Sequence, residues 1–379
     1  MEGRIVFAVA IKNLIHDKTR FAIAIVGVTF AVVLISAQAG IFLAFMDSSA
    51  TIIQHADADI WVTSKNSRNF DWSQPIPERK LNQVLRVKGV ASAEKLMLGW
   101  GIMKTAEGGG EQVEVIGYNP DTGIGGPWAM RQGQVSDVKG GMYAILDESA
   151  QARLGKFEVG EYREILGRRL KIVGIARDAK SFTTAPFVFT SYRTAKEIFY
   201  YLGAENTTFL LVRVAAGADP REVAAELRRT VDFADVYTKD EFSWKTKQYW
   251  TFETGVGFGF LLTMLMAFLV GIVIVGQTIY SSTVDHLKEF GTLKAIGASN
   301  FHIYQIIFQQ ASINAVLGFA MGTAATFLTK GIFEGMGMNI VLPTHILTAI
   351  LGVTLVMCFC AAFISIWKAM QLEPVEVFR

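Results

Sequence analysis

The chain contains, at residues 254–284, the stretch TGVGFGFLLTMLMAFLVGIVIVGQTIYSSTV, in which no Lys, Arg, Asp or Glu occurs. Three further stretches share this property, at residues 21–46, 303–329 and 339–367. In chain order the four stretches have 26, 31, 27 and 29 residues. Each exceeds the roughly 20 apolar residues needed to cross a hydrocarbon core of about 30 Å. Core helices of soluble proteins rarely run so long without a charged face. The sequence therefore predicts four transmembrane helices.

The spacing of these stretches is uneven, because about 207 residues, 47–253, separate the first stretch from the other three. The composition agrees with a membrane protein, since 51% of residues are hydrophobic and only 18% are charged. A net charge of +2 and the lack of a long basic run argue against a nucleic-acid partner. We expect an α-helical membrane protein with four transmembrane helices, one plus three, and a large two-lobed α+β extracytoplasmic domain between helices 1 and 2.

Charges that flank the first span predict its orientation. Four basic residues precede it against two acidic ones: Arg4, Lys12, Lys18 and Arg20 against Glu2 and Asp17. By the positive-inside rule the N-terminus lies in the cytoplasm, and an even number of spans returns the C-terminus there. We expect a multi-pass protein of the cell inner (plasma) membrane, with residues 47–253 outside the cytoplasm. The first span is too long for a signal-peptide core, so we expect it to be retained as an anchor. Both cysteines, Cys358 and Cys360, lie in the fourth span, so the external domain has no disulfide.

Residues 1–20 carry an amphipathic pattern. Five apolar residues fall at helical spacing, namely Phe7, Ala8, Ile11, Leu14 and Ile15. This pattern predicts a cytoplasmic helix that lies on the inner membrane surface and contacts lipid with its basic face. The alternative is a short solvated tail.

The segment 47–253 predicts strand–helix–strand units at both ends, with a β-rich insert at about 128–200. Strands are expected at residues 58–63, 101–105, 112–117, 143–146, 162–165, 170–176, 209–214 and 236–237. Three glycines at 108–110 predict a hairpin turn, and Asp219 before Pro220 predicts a helix start. Residues 239–252 read as a helical stalk, paired with a continuation of the first span to about residue 55. An ordinary interfacial aromatic belt is the alternative.

Between the second and third spans, residues 285–302 predict a short amphipathic helix. Apolar side chains recur at helical spacing at Leu287, Phe290, Leu293 and Ile296. Gly297 suits its C-terminal cap, and Ser299 suits the N-cap of the next helix. A solvent loop of this length needs no such spacing, so we expect another protein to cover the apolar face.

The run 285–299, with its core Glu-x-Gly-x-Leu-Lys-Ala-Ile-Gly-Ala-Ser, resembles the coupling-helix signature of the FtsX/MacB superfamily of ABC transporter permeases (type VII exporter fold). The end, Leu-Glu-Pro-Val-Glu-Val-Phe-Arg at 372–379, is similar to that family's closing motif. Residues 159–162 and 170–176 resemble a segment of its external domain. Within the superfamily, residues 56–62 and 285–289 look most like DevC-type exporter permeases.

The resemblance implies a permease of an ABC exporter that passes ATP-driven motion of a separate ATPase to its external domain. It implies partners: a dimeric ATPase, a second copy of the chain paired through spans one and two, a periplasmic adaptor and an outer-membrane channel. The implied ATPase-coupling residues are Leu287, Lys288, Glu289, Phe290, Gly291, Leu293, Lys294, Ile296 and Gly297. The implied cytoplasmic tail motif at 368–379 is Pro374, Glu376 and Arg379. The chain has no Gly-x4-Gly-Lys-(Ser/Thr) motif, so we expect no enzyme activity of its own and hydrolysis by the partner.

Two other functions stay open, an FtsX-like regulator of a cell-wall hydrolase and a lipoprotein-releasing permease. We expect no catalytic, cofactor or metal site. The triplet of His55, Asp57 and Asp59 reads as structural rather than metal-binding. Glycines at 255–259, and the pairs 318/322 and 331/335, predict close helix packing rather than a dinucleotide site. The amides near residues 305–314 predict interhelical hydrogen bonds, with a substrate path as the alternative.

Overall fold

Long helices and one large sheet dominate the computed structural model, which describes residues 16–105, 107–179, 186–286, 289, 292, 299–335 and 340–370. The chain divides into two units. We call Met1–Ala44 with Val256–Arg379 the helix bundle, and Phe45–Gly255 the α+β domain. The expected helix at residues 1–20 and the tail at 368–379 lie largely outside the described residues.

The helices are α1 (Lys18–Ser49), α2 (Thr51–His55), α3 (Lys80–Val84), α4 (Gln151–Leu154), α5 (Tyr192–Ile198), α6 (Pro220–Thr230), α7 (Lys239–Gln248), α8 (Val256–Asp285), α9 (Asn300–Gly335) and α10 (Thr344–Met370). The strands are β1 (Ile60–Ser64), β2 (Ile76–Pro77), β3 (Val90–Lys104), β4 (Gly110–Tyr118), β5 (Met130–Gln132), β6 (Tyr143–Asp147), β7 (Tyr162–Ile165), β8 (Arg168–Ala176), β9 (Phe187–Ser191), β10 (Asn206–Thr207), β11 (Phe209–Val214) and β12 (Ala234–Thr238).

Four helices of the described chain, α1, α8, α9 and α10, are long and apolar enough to cross a membrane. They coincide with the four charge-free stretches, so the predicted spans are confirmed. α1 and α9 extend past their stretches at both ends, whereas α8 and α10 begin inside theirs, at Val256 and Thr344. Alanine and β-branched residues fill the bundle core, among them Val28, Ala31, Ala311, Ala315 and Ala361.

Ten strands of the described chain form one sheet, in the order β12-β1-β11-β3-β4-β9-β6-β8-β5, with β7 pairing to β3 and β8. The expected hairpin is present, since β3 and β4 pair antiparallel and Gly108 adopts φ +87°. The long strand β3 was only partly predicted. Its first half pairs with β11 and its second half with β4. The single strand β3 therefore joins the strands on the β11 side of the sheet to those on the β4 side.

Sequence patterns missed strand β9. This strand lies between β4, which it pairs in parallel, and β6, and all five of its residues are buried. A central strand buried on both faces has no polar alternation to reveal it, which is why periodicity failed here. The mixed α/β architecture between the first two membrane helices is the one predicted.

The stalk consists of α7 and the turns that follow. Thr238 and Glu241 form a capping box, in which Thr238 Oγ1 accepts from the Glu241 amide at 3.3 Å and Glu241 Oε2 accepts from the Thr238 amide at 2.8 Å. Residues Tyr249–Glu253 then form a π-helical turn. On α2, Gln54 donates to Ser243 Oγ at 2.7 Å, so the two segments are paired along the stalk.

Candidate functional site at the ends of the first two membrane helices

The predicted coupling segment, residues 285–302, follows directly from the end of α8. Most of its predicted coupling residues lie outside the described residues, namely Leu287, Lys288, Phe290, Gly291, Leu293, Lys294, Ile296 and Gly297, as do Pro374, Glu376 and Arg379 of the tail motif. Glu289 is helical, and its carboxylate lies 3.0 Å from Nδ1 of His286. The coupling roles of these residues and of the tail motif therefore stay predictions.

Arg20 connects the start of α1 to the end of α8. Its guanidinium pairs with the Asp285 carboxylate and donates to the Ser281 carbonyl at 3.3 Å. The pair with Asp285 joins positions 265 residues apart, and the bond to Ser281 joins positions 261 apart. Asp285 is also the first residue of the predicted coupling segment, so any displacement of that segment acts on a side chain bonded to α1.

Asp17 fixes Arg20 from the other side. Its carboxylate accepts from the Arg20 amide at 3.2 Å and lies 3.0 Å from Arg20 Nε. Asp17 thus both caps the first turn of α1 and orients the guanidinium. Sequence reasoning used Asp17 and Arg20 only for topology. The available signal was an Asp three positions before an Arg at a helix start, and a lone carboxylate at the far end of a charge-free stretch.

A small polar cavity adjoins this ion cluster. Asp17, Arg20, Thr278, Ser282, Gln310 and Asn314 contribute to its lining. Its volume is about 20 Å³, which is room for one water. Asn314 is 1% exposed, and its Oδ1 has no protein partner among the described residues. Gln309 Oε1 also has no hydrogen-bond partner among the described residues, so the predicted interhelical hydrogen bonds are not seen at these two oxygens and the role of the amides stays a prediction.

Glycines set the contact between α1 and α9. A Cβ at Gly318 would overlap Cγ1 of Val28, and one at Gly322 would lie 2.6 Å from Cγ1 of Val32. The close packing predicted for this glycine pair is therefore present. At Gly331 and Gly259 a Cβ would meet nothing within 4 Å, so the same chain supplies no close packing at these two positions, and the packing predicted there stays a prediction.

The His55, Asp57 and Asp59 triplet is used structurally. His55 stacks on Trp128 with ring centroids 4.4 Å apart, and Asp57 pairs with Arg213. Asp59 accepts from the Val214 amide at 2.8 Å. Each side chain thus has a separate protein partner. No group of three or more His, Cys, Asp or Glu positioned for a metal occurs within the part of the chain that the structure describes.

A cleft of about 540 Å³ opens in the α+β domain, and its charged lining residues already have protein partners. Lys95 pairs with Glu78 at 2.7 Å and Arg193 with Glu197 at 3.5 Å. Burial opposes ionisation of Glu78, but hydrogen bonds from Lys196, Lys95 and Tyr192 together hold its pKa below the usual range. These pairings order the cleft wall.

Two family models match the chain. The MacB-like periplasmic core domain matches residues 21–230, and the FtsX-like permease C-terminal matches residues 241–374. An uncharacterized ABC transporter permease of Mycobacterium bovis is 24% identical over 374 residues, covering 97% of this chain and 98% of that protein. Another, from Methanocaldococcus jannaschii, is 20% identical and covers 59% of this chain and 58% of its own length.

A solved structure, the periplasmic region of MacB from Actinobacillus actinomycetemcomitans, covers 49% of this chain and 90% of its own length, with 14% identity and a TM-score of 0.38. The family models cover nearly the whole chain, on both sides of the second membrane helix. Together with the four apolar helices they identify an integral inner-membrane protein, and the chain belongs to the FtsX/MacB superfamily of ABC transporter permeases.

Proposed function

We propose that the chain is the permease subunit of an ABC exporter that works by mechanotransmission. In this proposal a separate ATPase dimer moves residues 285–302, and the movement reaches the α+β domain through α1 and α8. The N- and C-termini lie in the cytoplasm, and the α+β domain lies outside it. A periplasmic adaptor and an outer-membrane duct, proposed from the DevC-like motifs, complete the export path.

The observation that carries this proposal is the bond network of Arg20. It fastens α1 to α8 at Asp285, where the predicted coupling segment begins. Since α1 and α8 are the two helices that flank the α+β domain in sequence, a force on Asp285 acts on both connections to that domain. The cavity beside Asn314 holds about one water, which supports transmission through the helices rather than passage of a substrate between them at this level.

Hydrolysis is assigned to a partner subunit. The 379 residues contain no phosphate-binding loop motif. A groove on the ATPase would remove four apolar side chains of this segment from water, those of Leu287, Phe290, Leu293 and Ile296.

A second copy of the chain is proposed to pack along α1 and α8. An apolar depression of about 520 Å³ runs between these helices, and Ile23, Val26, Phe30 and Ile274 are among its lining residues. Gly27 allows the two helices to approach, since a Cβ there would overlap Ile274. Close approach at small residues and shape-matched apolar contacts are how membrane helices associate.

The test is Phe290→Asp in the full chain, co-expressed with its ATPase. An unpaired buried charge replaces an apolar contact, so we expect ATPase co-purification to fall at least 100-fold and export to stop. Glu289→Gln is the comparison within the same contact: its exposed side chain would lie at the rim, so co-purification should fall far less than in Phe290→Asp. Both variants should insert and keep a folded α+β domain. Normal ATPase binding by Phe290→Asp would show that residues 285–302 are not the coupling helix.

A further inference from the structure

Asp71 is a buried carboxylate in the loop between β1 and β2. It is 6% exposed, and its Oδ2 accepts from Asn69 Nδ2 at 2.7 Å and from Trp250 Nε1 at 2.9 Å. The Asp71 carbonyl accepts from Trp100 Nε1 at 3.1 Å. Two indoles from distant parts of the α+β domain therefore donate to one residue.

Trp250 lies in the π-helical turn Tyr249–Glu253, near the point where the chain leaves the stalk. Short π-helical turns are rare but are frequent at functional sites, and this one ends the stalk before the bend at residues 254–255. The Trp250 ring meets Phe45 edge-on at 6.0 Å, and Thr251 Oγ1 donates to Met46 Sδ at 3.0 Å. The same turn thus holds the stalk against the C-terminal end of α1.

The loop that carries Asp71 is anchored in the domain core. Phe70, the preceding residue, stacks on Phe209 with ring centroids 5.4 Å apart and meets Trp61 edge-on at 5.8 Å. The Phe70 amide donates to Thr246 Oγ1 of α7 at 3.3 Å. Residues 69–72 therefore connect the sheet, through Phe70, to the stalk, through Thr246 and Trp250.

We propose that Asp71 is a positioning residue that seats the Trp250 indole and thereby transmits movement of the stalk to the sheet. This inference rests on the mechanotransmission proposed above. Asp71 contacts neither substrate nor ATPase in this role, and its side chain reaches the stalk through Trp250.

Burying a charged carboxylate at this position costs desolvation free energy, which a neutral hydrogen-bond acceptor would largely avoid. Burial raises the pKa of Asp71 to about 6, against the opposing effect of the Trp250 hydrogen bond. An indole N–H that donates to an ionised acceptor makes a shorter and stronger bond than it makes to a neutral one. The arrangement therefore suits a contact that has to hold while the stalk is displaced.

The seat is tested first without ATP, in the full chain in nanodiscs labelled with 5-fluorotryptophan. The chain has seven tryptophans, and the fluorine resonance of Trp250 is the one lost in Trp250→Phe. Asp71→Val removes the acceptor and should shift and broaden that resonance. Asp71→Asn keeps an acceptor oxygen but removes the charge, so it should shift the resonance less than Asp71→Val does. Trp244→Phe, at an exposed stalk residue, should not move the Trp250 resonance. An unchanged resonance in Asp71→Val would show that Asp71 does not position the Trp250 indole.

Transmission is tested with the partner ATPase present. Spin labels at Gln248→Cys on the stalk and Arg86→Cys beyond α3, with Cys358 and Cys360 replaced by alanine, report the stalk-to-sheet distance with and without ATP. If Asp71 holds Trp250 in place, the stalk and sheet move together, so the distance should stay within about 1 Å in the parent chain. It should change several-fold more in Asp71→Val and in Trp250→Phe.

A second label pair separates the two proposals. Labels at Arg86→Cys in the two copies of a dimer report whether the sheets move at all when ATP is added. If the sheets move in the parent chain and move just as far in Asp71→Val and Trp250→Phe, Asp71 does not transmit the movement, while the proposed function stands. No movement in the parent chain overturns the proposed function and the transmission role with it, and the fluorine resonance then still decides the seat.

Discussion

Large aromatic side chains fill the centre of the α+β domain, whereas small residues make the closest contacts in the helix bundle. In the domain, Trp61, Phe70, Phe209 and Phe242 meet with ring centroids 5.4–5.8 Å apart. In the bundle, Gly271 packs on Ala31 and Met357, and a Cβ at Gly276 would touch Ala361 at 3.8 Å. Ser365 of α10 also donates to the Gly276 carbonyl at 2.8 Å.

The difference follows from the solvent that each unit displaces. The domain gains free energy by removing aromatic surface from water, and Trp61, Phe209 and Phe242 are completely buried in its core. Lipid tails are as apolar as leucine, so burial gives the bundle little advantage, and its helices associate where small residues permit close contact. This explains why Phe258 and Leu261 of α8 can be more than half exposed in the helix bundle without destabilising the bundle core.

The largest effect is expected from removing an aromatic ring in the domain. Phe209→Ala should lower the free energy of unfolding by about 3–5 kcal/mol, because the cavity cannot be filled by its three ring neighbours. Phe258→Ala removes the same ring from a position 66% exposed on α8 and should cost less than about 0.5 kcal/mol. Urea unfolding of the full chain in detergent, followed by protease cleavage within the domain, measures both.

Equal effects of these two substitutions would contradict the comparison. They would mean that Phe258 is buried by another part of the assembly as tightly as Phe209 is buried by the sheet. Performing the measurement in detergent, with dimer and monomer fractions separated, distinguishes such burial from lipid contact.

The intermediate effect is expected from enlarging a glycine in the bundle. Gly322→Val places a side chain where Val32 already lies, so it should push α9 from α1 and destabilise the bundle by about 1–3 kcal/mol. The matched control is Gly331→Val on the same helix, where a Cβ meets nothing within 4 Å. Unfolding in mixed micelles of increasing SDS fraction measures both. If Gly331→Val is the more harmful, that face of α9 contacts a second copy or another partner.

The sequence predicted those features that depend on local pattern. Four charge-free stretches gave the spans, Asp219 with Pro220 gave the start of α6, and the glycines at 108–110 gave the hairpin. It missed β9, because a strand buried on both faces has no alternation of apolar and polar residues. It also missed the full length of β3, because pairing with two different strands produces no pattern in the sequence of β3 itself.

The candidate site was predicted in parts that were not connected. Arg20 was counted as a topological charge and Asp285 as the start of a motif. Their bond spans 265 positions, and nothing local to either residue encodes the other. The Asp71 seat was missed for the same reason, since its donors lie at Trp250 and Asn69, and Trp100 binds its carbonyl.

The smallest effect on stability is expected at the ion pair of Arg20 and Asp285, which belongs to neither kind of packing. The two side chains are 33% and 53% exposed, so Arg20→Gln and Asp285→Asn should each cost less than about 1 kcal/mol in the same micelle assay. Their effect on ATP-driven work should be far larger than this cost. If the pair fastens α1 to α8, export should fall several-fold in either variant. The double variant should be no worse than Arg20→Gln, because that variant already removes the bond to Asp285 together with the one to the Ser281 carbonyl. Arg193→Gln is the control, since Arg193 pairs with Glu197 within one exposed helix and should alter neither stability nor export. Losses that multiply in the double variant would mean that Arg20 and Asp285 act independently, and α1 would then follow the coupling segment through packing at Val28 and Val32 instead.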